Sequence, residues 1–151
     1  MKHLLDIESL DAAQIARIVA HAADMKRLRG RHTDAPLAGE CWAIMFSKSS
    51  TRTRLSFEVG IRELGGQPIF LSSNDIQLGR GEPIRDTARV MGRMIQGAVI
   101  RTYAQYDVEE FAALGGIRTV NALTDAEHPC QILSDLFTIT EKRGTLDGLK
   151  V

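Results

Sequence analysis

The chain contains little cysteine and no long apolar run. Cys41 and Cys130 are the only cysteines among 151 residues, and they do not form the CxxC pair of many redox and zinc sites. Asp6 and Glu8 interrupt the segment in which a signal peptide would need a continuous apolar region, and no stretch approaches the length of a membrane span. We therefore predict a cytoplasmic protein that does not enter a membrane.

The chain also lacks a net charge. Lys and Arg together number 19, and so do Asp and Glu. Without an overall basic field, neither nucleic acid nor an anionic membrane surface is expected as a partner, and any anion site must be local. The remaining composition, 44% hydrophobic and 25% charged, is that of a globular domain that can bury a core.

Apolar runs alternate with helical periodicities along the chain. The spacing predicts a first helix that Ser9 caps and Gly30 ends, and Asp107 with Glu110 resembles a capping box for a later helix. Strands are predicted at 41–46, 68–71, 98–102 and 119–123, and helices after them at 51–64, 83–92, 107–115 and 129–143. This alternation predicts an α/β fold, an open parallel sheet of about four strands with helices on both faces. Ligands of such sheets bind at the carboxyl edge of the strands.

A change in the pattern follows the last predicted helix. The sequence TLDGLKV after Gly144 is typical of a turn that leads into a new strand. We therefore predict that residues 1–143 form one domain and that residues 144–151 begin a second domain, which the chain does not complete.

The segment 46–54, FSKSSTRTR, joins the first predicted strand to the next helix. Its backbone N–H groups and hydroxyls gather at a helix amino terminus, which is a favourable place for an anion. Arg52 and Arg54 lie in the first helical turn, where the helix dipole disfavours cations, and a bound dianion would remove that conflict. The alternative is that these arginines pair with Glu58 or Glu63. No GxxxxGK[ST] motif is present, so nucleotide hydrolysis is a poor fit.

Two further elements are predicted at the same sheet edge. His128 and Gln131, in the sequence HPCQ, begin the last helix, and a neutral imidazole with an amide can recognise a carbonyl oxygen and an NH₂ group. Arg101 ends the third predicted strand. The alternatives are a capping or core histidine and a solvated strand-end arginine. A metal site would need more ligands than His128, Cys130 and a nearby carboxylate, so none is predicted.

The combination of SSTRTR, followed by Leu-Ser-Phe-Glu, with the strand-end arginine and with HPCQ and Asp135 resembles the aspartate/ornithine carbamoyltransferase family in its carbamoyl-phosphate-binding domain. The resemblance spans essentially the whole chain. It implies that phosphate is bound by Ser50, Thr51, Arg52, Thr53 and Arg101. It also implies that Thr53, Arg101 and His128 polarise the carbamoyl oxygen while Gln131 holds the carbamoyl amide, with Arg52, Arg101 and His128 as the catalytic residues.

The loop at 74–82 resembles the ornithine branch of the family. The resemblance implies a homotrimer, or a multiple of trimers, in which Gln77 reaches a neighbouring subunit's site. It implies carbamoyl phosphate and ornithine as substrates, with ornithine held by the second domain, and neither a metal nor a cofactor. Other acceptors stay open, namely aspartate, putrescine or acetylornithine. A phosphate-binding or trimer-assembly module without catalysis is also open, and the loop would then be a flexible surface segment.

Overall fold

The structure is a computed structural model that describes residues 2–31, 33–72, 82–146 and 148. Four strands form one parallel sheet in the order β2-β1-β3-β4. They are β1 Cys41–Phe46, β2 Gln67–Ser72, β3 Gly97–Arg101 and β4 Arg118–Leu123. The apolar run in β1 is continuous because a central parallel strand is covered on both faces. Five of its six residues are buried.

Five helices accompany the strands: α1 Ala12–Arg27, α2 Thr51–Glu63, α3 Ile84–Met91, α4 Gln105–Gly115 and α5 Pro129–Arg143. The predicted α/β class and the alternation of strands and helices are confirmed. None of the helices in the described ranges is long and apolar enough to cross a membrane.

Two predicted helix starts are wrong. Asp11, not Ser9, caps α1, because its Oδ1 accepts the Gln14 N–H at 2.7 Å while the Gln14 side chain accepts the Asp11 N–H at 2.9 Å. The helix α4 begins at Gln105 without a side-chain cap, so Asp107 lies inside its first turn rather than at its cap. Near α1 both Ser9 and Asp11 could cap the helix, and the local sequence does not decide between them. At α4 the N-cap is Ala104, so no side chain marks the helix start.

The sheet is covered on both faces, as predicted. On one face, Met45 and Ile100 pack with α3 and α4, where Phe111 is fully buried. On the other face, Ile44 and Val99 pack in a cluster that includes Ile61 of α2. The central strands β1 and β3 therefore supply alternate side chains to two separate apolar layers.

The strand order decides where the site forms. After β1 the chain moves outward through α2 to β2, and it then returns past β1 to β3. The carboxyl ends of β1 and β3 are thus adjacent, and the Ser47 N–H donates to the Arg101 carbonyl oxygen at 2.8 Å. In a parallel sheet, the point at which the order of successive strands reverses opens a crevice for ligands at the carboxyl edge.

The chain beyond α5 is described only in part. Gly144 ends α5 with a left-handed φ of 80°, which agrees with the predicted helix end. Residues 147 and 149–151 lie outside the described ranges. The second domain predicted from residue 144 stays a prediction.

Candidate functional site

The loop after β1 ends in a capped helix start. Ser50 is the N-cap of α2: its Oγ accepts the Thr53 N–H at 3.3 Å and donates to Thr53 Oγ1 at 3.0 Å. The first turn of α2 contains no acidic residue. Free N–H groups, hydroxyls and the positive end of the helix dipole therefore meet at one place, which is suited to an anion.

The two arginines of this turn have different surroundings. Arg54 Nε donates to Glu58 Oε1 at 2.9 Å, and its guanidinium lies 3.6 Å from the centroid of the Phe70 ring. The alternative of an ion pair within the helix is therefore correct for Arg54. Glu63 pairs with Arg29 instead. Arg52 forms no ion pair with any residue of the described ranges, so its guanidinium stays available for a ligand.

His128 caps α5 with its imidazole. Its Nδ1 accepts the Gln131 N–H at 3.4 Å, so Nδ1 carries no proton. Burial, followed by the nearby Arg101 charge, lowers the pKa of His128 below its ordinary value, while Asp135 acts in the opposite direction. The ring is therefore neutral near pH 7, with its remaining proton on Nε2, and it can donate one hydrogen bond to a ligand.

Gln131 is the third residue of α5. Its Nε2 donates to Asp135 Oδ1 at 2.8 Å, one helical turn further along α5. Its Oε1 accepts no hydrogen bond from the described residues, which leaves an acceptor for a ligand N–H group.

Arg101 ends β3 beside these helix starts. Its Nε is buried and has no hydrogen-bond partner among the described residues. A buried donor without a partner is costly, and a bound anion or carbonyl oxygen would satisfy it. This is the second feature, after the acid-free turn of α2, that indicates a ligand with oxygen atoms.

These residues line one cavity of about 360 Å³ between the starts of α2 and α5. Six of the predicted site residues line it: Ser50, Arg52, Thr53, Arg101, His128 and Gln131. No carboxylate of the described residues lines this cavity. Thr51 lies instead on a neighbouring cavity of about 880 Å³, and Gln77 lies outside the described ranges.

Cys130 also lines the cavity, but its thiol is not poised to react. Its Sγ donates to the Asn121 carbonyl oxygen at 3.4 Å, and burial raises the pKa of the thiol to about 11. The side chain is thus a protonated thiol near pH 7 and a poor nucleophile. Within the described ranges, no group of three or more His, Cys, Asp and Glu residues could hold a metal ion.

Sequence reasoning missed a contact that links the loops around the cavity. Lys48 forms an ion pair with Asp125, and its ammonium lies 4.5 Å from the centroid of the Tyr103 ring. The Asp125 N–H in turn donates to the Tyr103 carbonyl oxygen at 2.8 Å. The loops after β1, β3 and β4 are therefore tied together at the sheet edge. No local signal pairs residues so far apart in the sequence, although the lysine beside the hydroxyl run was visible.

The comparison with known families agrees with this geometry. A sequence model described as the aspartate/ornithine carbamoyltransferase carbamoyl-P binding domain matches residues 2–141. The chain belongs to this family. It is 64% identical over 144 residues to the ornithine carbamoyltransferase of Akkermansia muciniphila, a match that covers 95% of this chain and 47% of that protein.

Solved carbamoyltransferase structures share the fold. The chain matches the ornithine carbamoyltransferase of Pyrococcus furiosus with a TM-score of 0.93 at 40% identity, over 98% of this chain and 48% of that one. The match to the Gloeobacter violaceus ornithine carbamoyltransferase has a TM-score of 0.85 at 46% identity, over 99% and 48% of the two chains. The chain therefore spans about half the length of the relatives that it matches.

Proposed function

We propose that the chain supplies the carbamoyl-phosphate site of an enzyme that transfers the carbamoyl group to the side-chain amine of ornithine, giving citrulline and phosphate. The observation that carries the proposal is the composition of the 360 Å³ cavity. It combines two arginines and a capped helix start for a phosphate with a neutral imidazole and an amide for a carbamoyl group.

Each end of carbamoyl phosphate has a matching part of the cavity. The phosphate binds at the start of α2, to Ser50, Thr53, Arg52 and Arg101, with the Thr51 backbone N–H completing the turn. The carbamoyl oxygen accepts hydrogen bonds from His128 Nε2 and from Thr53 and Arg101. The carbamoyl NH₂ donates to Gln131 Oε1. These roles account for the unpartnered Arg101 Nε and the free Gln131 oxygen.

The reaction needs no covalent intermediate with the protein. The neutral amine attacks the carbamoyl carbon, a C–N bond forms, and the negative charge moves to the carbamoyl oxygen. The C–O bond to phosphate then breaks, and the departing phosphate can take the proton that the amine loses. Arg52, Arg101 and His128 stabilise the charge that develops in the transition state, which accelerates the reaction more than tight binding of the substrate would.

The acceptor is the part of the proposal that depends on the relatives. Those relatives are ornithine carbamoyltransferases, which favours ornithine over aspartate, putrescine and acetylornithine. Ornithine would be held by the half of the relatives that this chain does not span, with residues 144–151 leading into it. We expect the 151-residue chain to bind the donor and to make no citrulline.

Assembly and cellular setting form a finer part of the proposal. We propose a homotrimer, or a multiple of trimers, in which Gln77 reaches a neighbouring site. We also propose that the protein acts in the cytoplasm, where its two free cysteines would stay reduced. We propose a role in the synthesis or use of arginine. Light scattering that shows only monomer at high concentration, with unchanged donor affinity in Gln77→Ala, would refute the shared site for this chain.

Calorimetric titration tests the donor site directly. The chain should bind carbamoyl phosphate more tightly than inorganic phosphate, because only the carbamoyl group reaches His128 and Gln131. Equal affinities would instead support a general anion-binding or assembly module.

A citrulline assay tests the division of labour. The chain alone, with saturating ornithine and carbamoyl phosphate, should be inactive, whereas a fusion to the second half of the Akkermansia muciniphila relative should form citrulline. Turnover by the chain alone would show that it carries the acceptor site, and the proposed division would be wrong.

A further inference from the structure

Gln131 has an amide group whose two ends are nearly equal in shape but opposite in hydrogen bonding. One end donates and the other accepts, and rotation by half a turn exchanges them. In a cavity open to solvent, the Gln131 side chain alone does not determine which end meets the ligand. Another group must fix the orientation of the amide.

In the structure, Asp135 fixes the orientation of the Gln131 amide. Its Oδ1 accepts from Gln131 Nε2 at 2.8 Å. An ionised carboxylate has only acceptors, so it can bind the NH₂ end of the amide and not the oxygen end. The Gln131 NH₂ group is thereby held one turn down the helix, and Oε1 is the end that remains for the cavity. Asp135 itself does not line the cavity.

We propose that Asp135 is a positioning residue that sets the donor specificity of the site by holding Gln131 with its Oε1 toward the NH₂ group of the bound carbamoyl. The inference rests on the proposed function. With the amide reversed, two NH₂ groups would face each other and neither would find an acceptor, so the hydrogen bond to the carbamoyl group would be lost. Asp135 thus acts through Gln131 and does not touch the substrate.

Acetyl phosphate provides the probe that isolates this contact. It has the same phosphate and carbonyl oxygen as carbamoyl phosphate, but a methyl group replaces NH₂. The ratio of the two dissociation constants therefore reports on the Gln131 contact and is insensitive to the phosphate-binding groups. A residue that only stabilises the helix would change both constants alike and leave the ratio unchanged.

The experiment is a calorimetric titration of both ligands into the 151-residue chain and its variants. The unaltered chain should prefer carbamoyl phosphate. Asp135→Ala should reduce that preference about two- to tenfold, the range for one hydrogen bond, with the affinity for acetyl phosphate unchanged. Asp135→Asn should keep part of the preference, because its amide oxygen can still accept from Gln131. In a Gln131→Ala background, Asp135→Ala should change nothing further.

Glu141→Ala is the matched control, since Glu141 is a second carboxylate on α5 that does not line the cavity. It forms an ion pair with Lys26, with 2.7 Å between Oε1 and Nζ. It should leave the preference unchanged. The inference is overturned if Asp135→Ala keeps the preference, weakens both ligands alike, or behaves like Glu141→Ala. If Asp135→Ala does not fold, an undiminished preference in Asp135→Asn overturns it. A lack of preference in the unaltered chain would instead overturn the proposed donor function, and the inference with it.

Discussion

Arg52 and Arg54 offer a direct test, because they stand two residues apart on one helix and have different partners. Arg52 lines the cavity of the proposed site and forms no ion pair with the described residues. Arg54 is engaged by Glu58 at 2.9 Å and by the Phe70 ring at 3.6 Å. We predict that Arg52→Ala weakens carbamoyl-phosphate binding far more than Arg54→Ala does.

The magnitude follows from the surroundings of Arg52. A hydrogen bond to a charged group contributes about 1.5–3 kcal/mol, and the solvent exposure of Arg52 favours the lower half of that range. A loss of about 1.5–2 kcal/mol corresponds to roughly a 10- to 30-fold rise in the dissociation constant. Its salt dependence should also become shallower, since one fewer cation contributes to the attraction.

Arg54→Ala should have the reverse profile. Its ion pair and its contact with the Phe70 ring together contribute roughly 1 kcal/mol to folding, so the free energy of unfolding should fall by about that amount. The dissociation constant should change less than about threefold, because no ligand contact is lost. Titration calorimetry and urea unfolding on both variants provide the two numbers. Equal losses of affinity in the two variants, or full affinity in a folded Arg52→Ala, would refute the reasoning.

Three further predictions concern pH, the loop contact and packing. The lowered pKa of His128 means that the unfolded chain takes up a proton first as pH falls below 6.5, so the free energy of unfolding should decrease there. His128→Asn, which can still cap α5, should flatten part of that slope in urea melts at several pH values. In a double-mutant cycle of Lys48→Met and Asp125→Asn, the coupling energy should be about 0.2–1 kcal/mol, since the carboxylate is exposed. A coupling energy of zero would show that the ion pair does not contribute to stability. A Cβ at Gly92 would collide with the carbonyl oxygen that ends α4, so Gly92→Ala should cost at least about 2 kcal/mol of stability. Gly60→Ala is the control: its Cβ would meet nothing within 4 Å, and thermal melts should show it unchanged or more stable by about 0.5–1 kcal/mol.

Local sequence was sufficient for those features that depend on near neighbours. The apolar run of β1 and the Pro-to-Gly frame of α5 predict bounds that agree with the structure, at Cys41–Phe46 and Pro129–Arg143. Arg52 was recognisable as unusual because a cation in the first turn of a helix opposes the helix dipole. Each of these signals is contained within one or two helical turns or one strand.

The meeting of the clusters was decided by the tertiary structure. One cavity is lined by Ser50, Arg52, Thr53, Arg101 and His128 because the strand order places β1 beside β3. That order depends on how two apolar layers pack across the sheet. The same packing brings the Arg54 guanidinium over the Phe70 ring and leaves Arg52 without an ion-pair partner among the described residues. It also pairs Lys48 with Asp125. A short-range pattern indicates which side chains are charged or can form hydrogen bonds. Their partners are residues that burial of the core brings close, and local spacing contains no information about those partners.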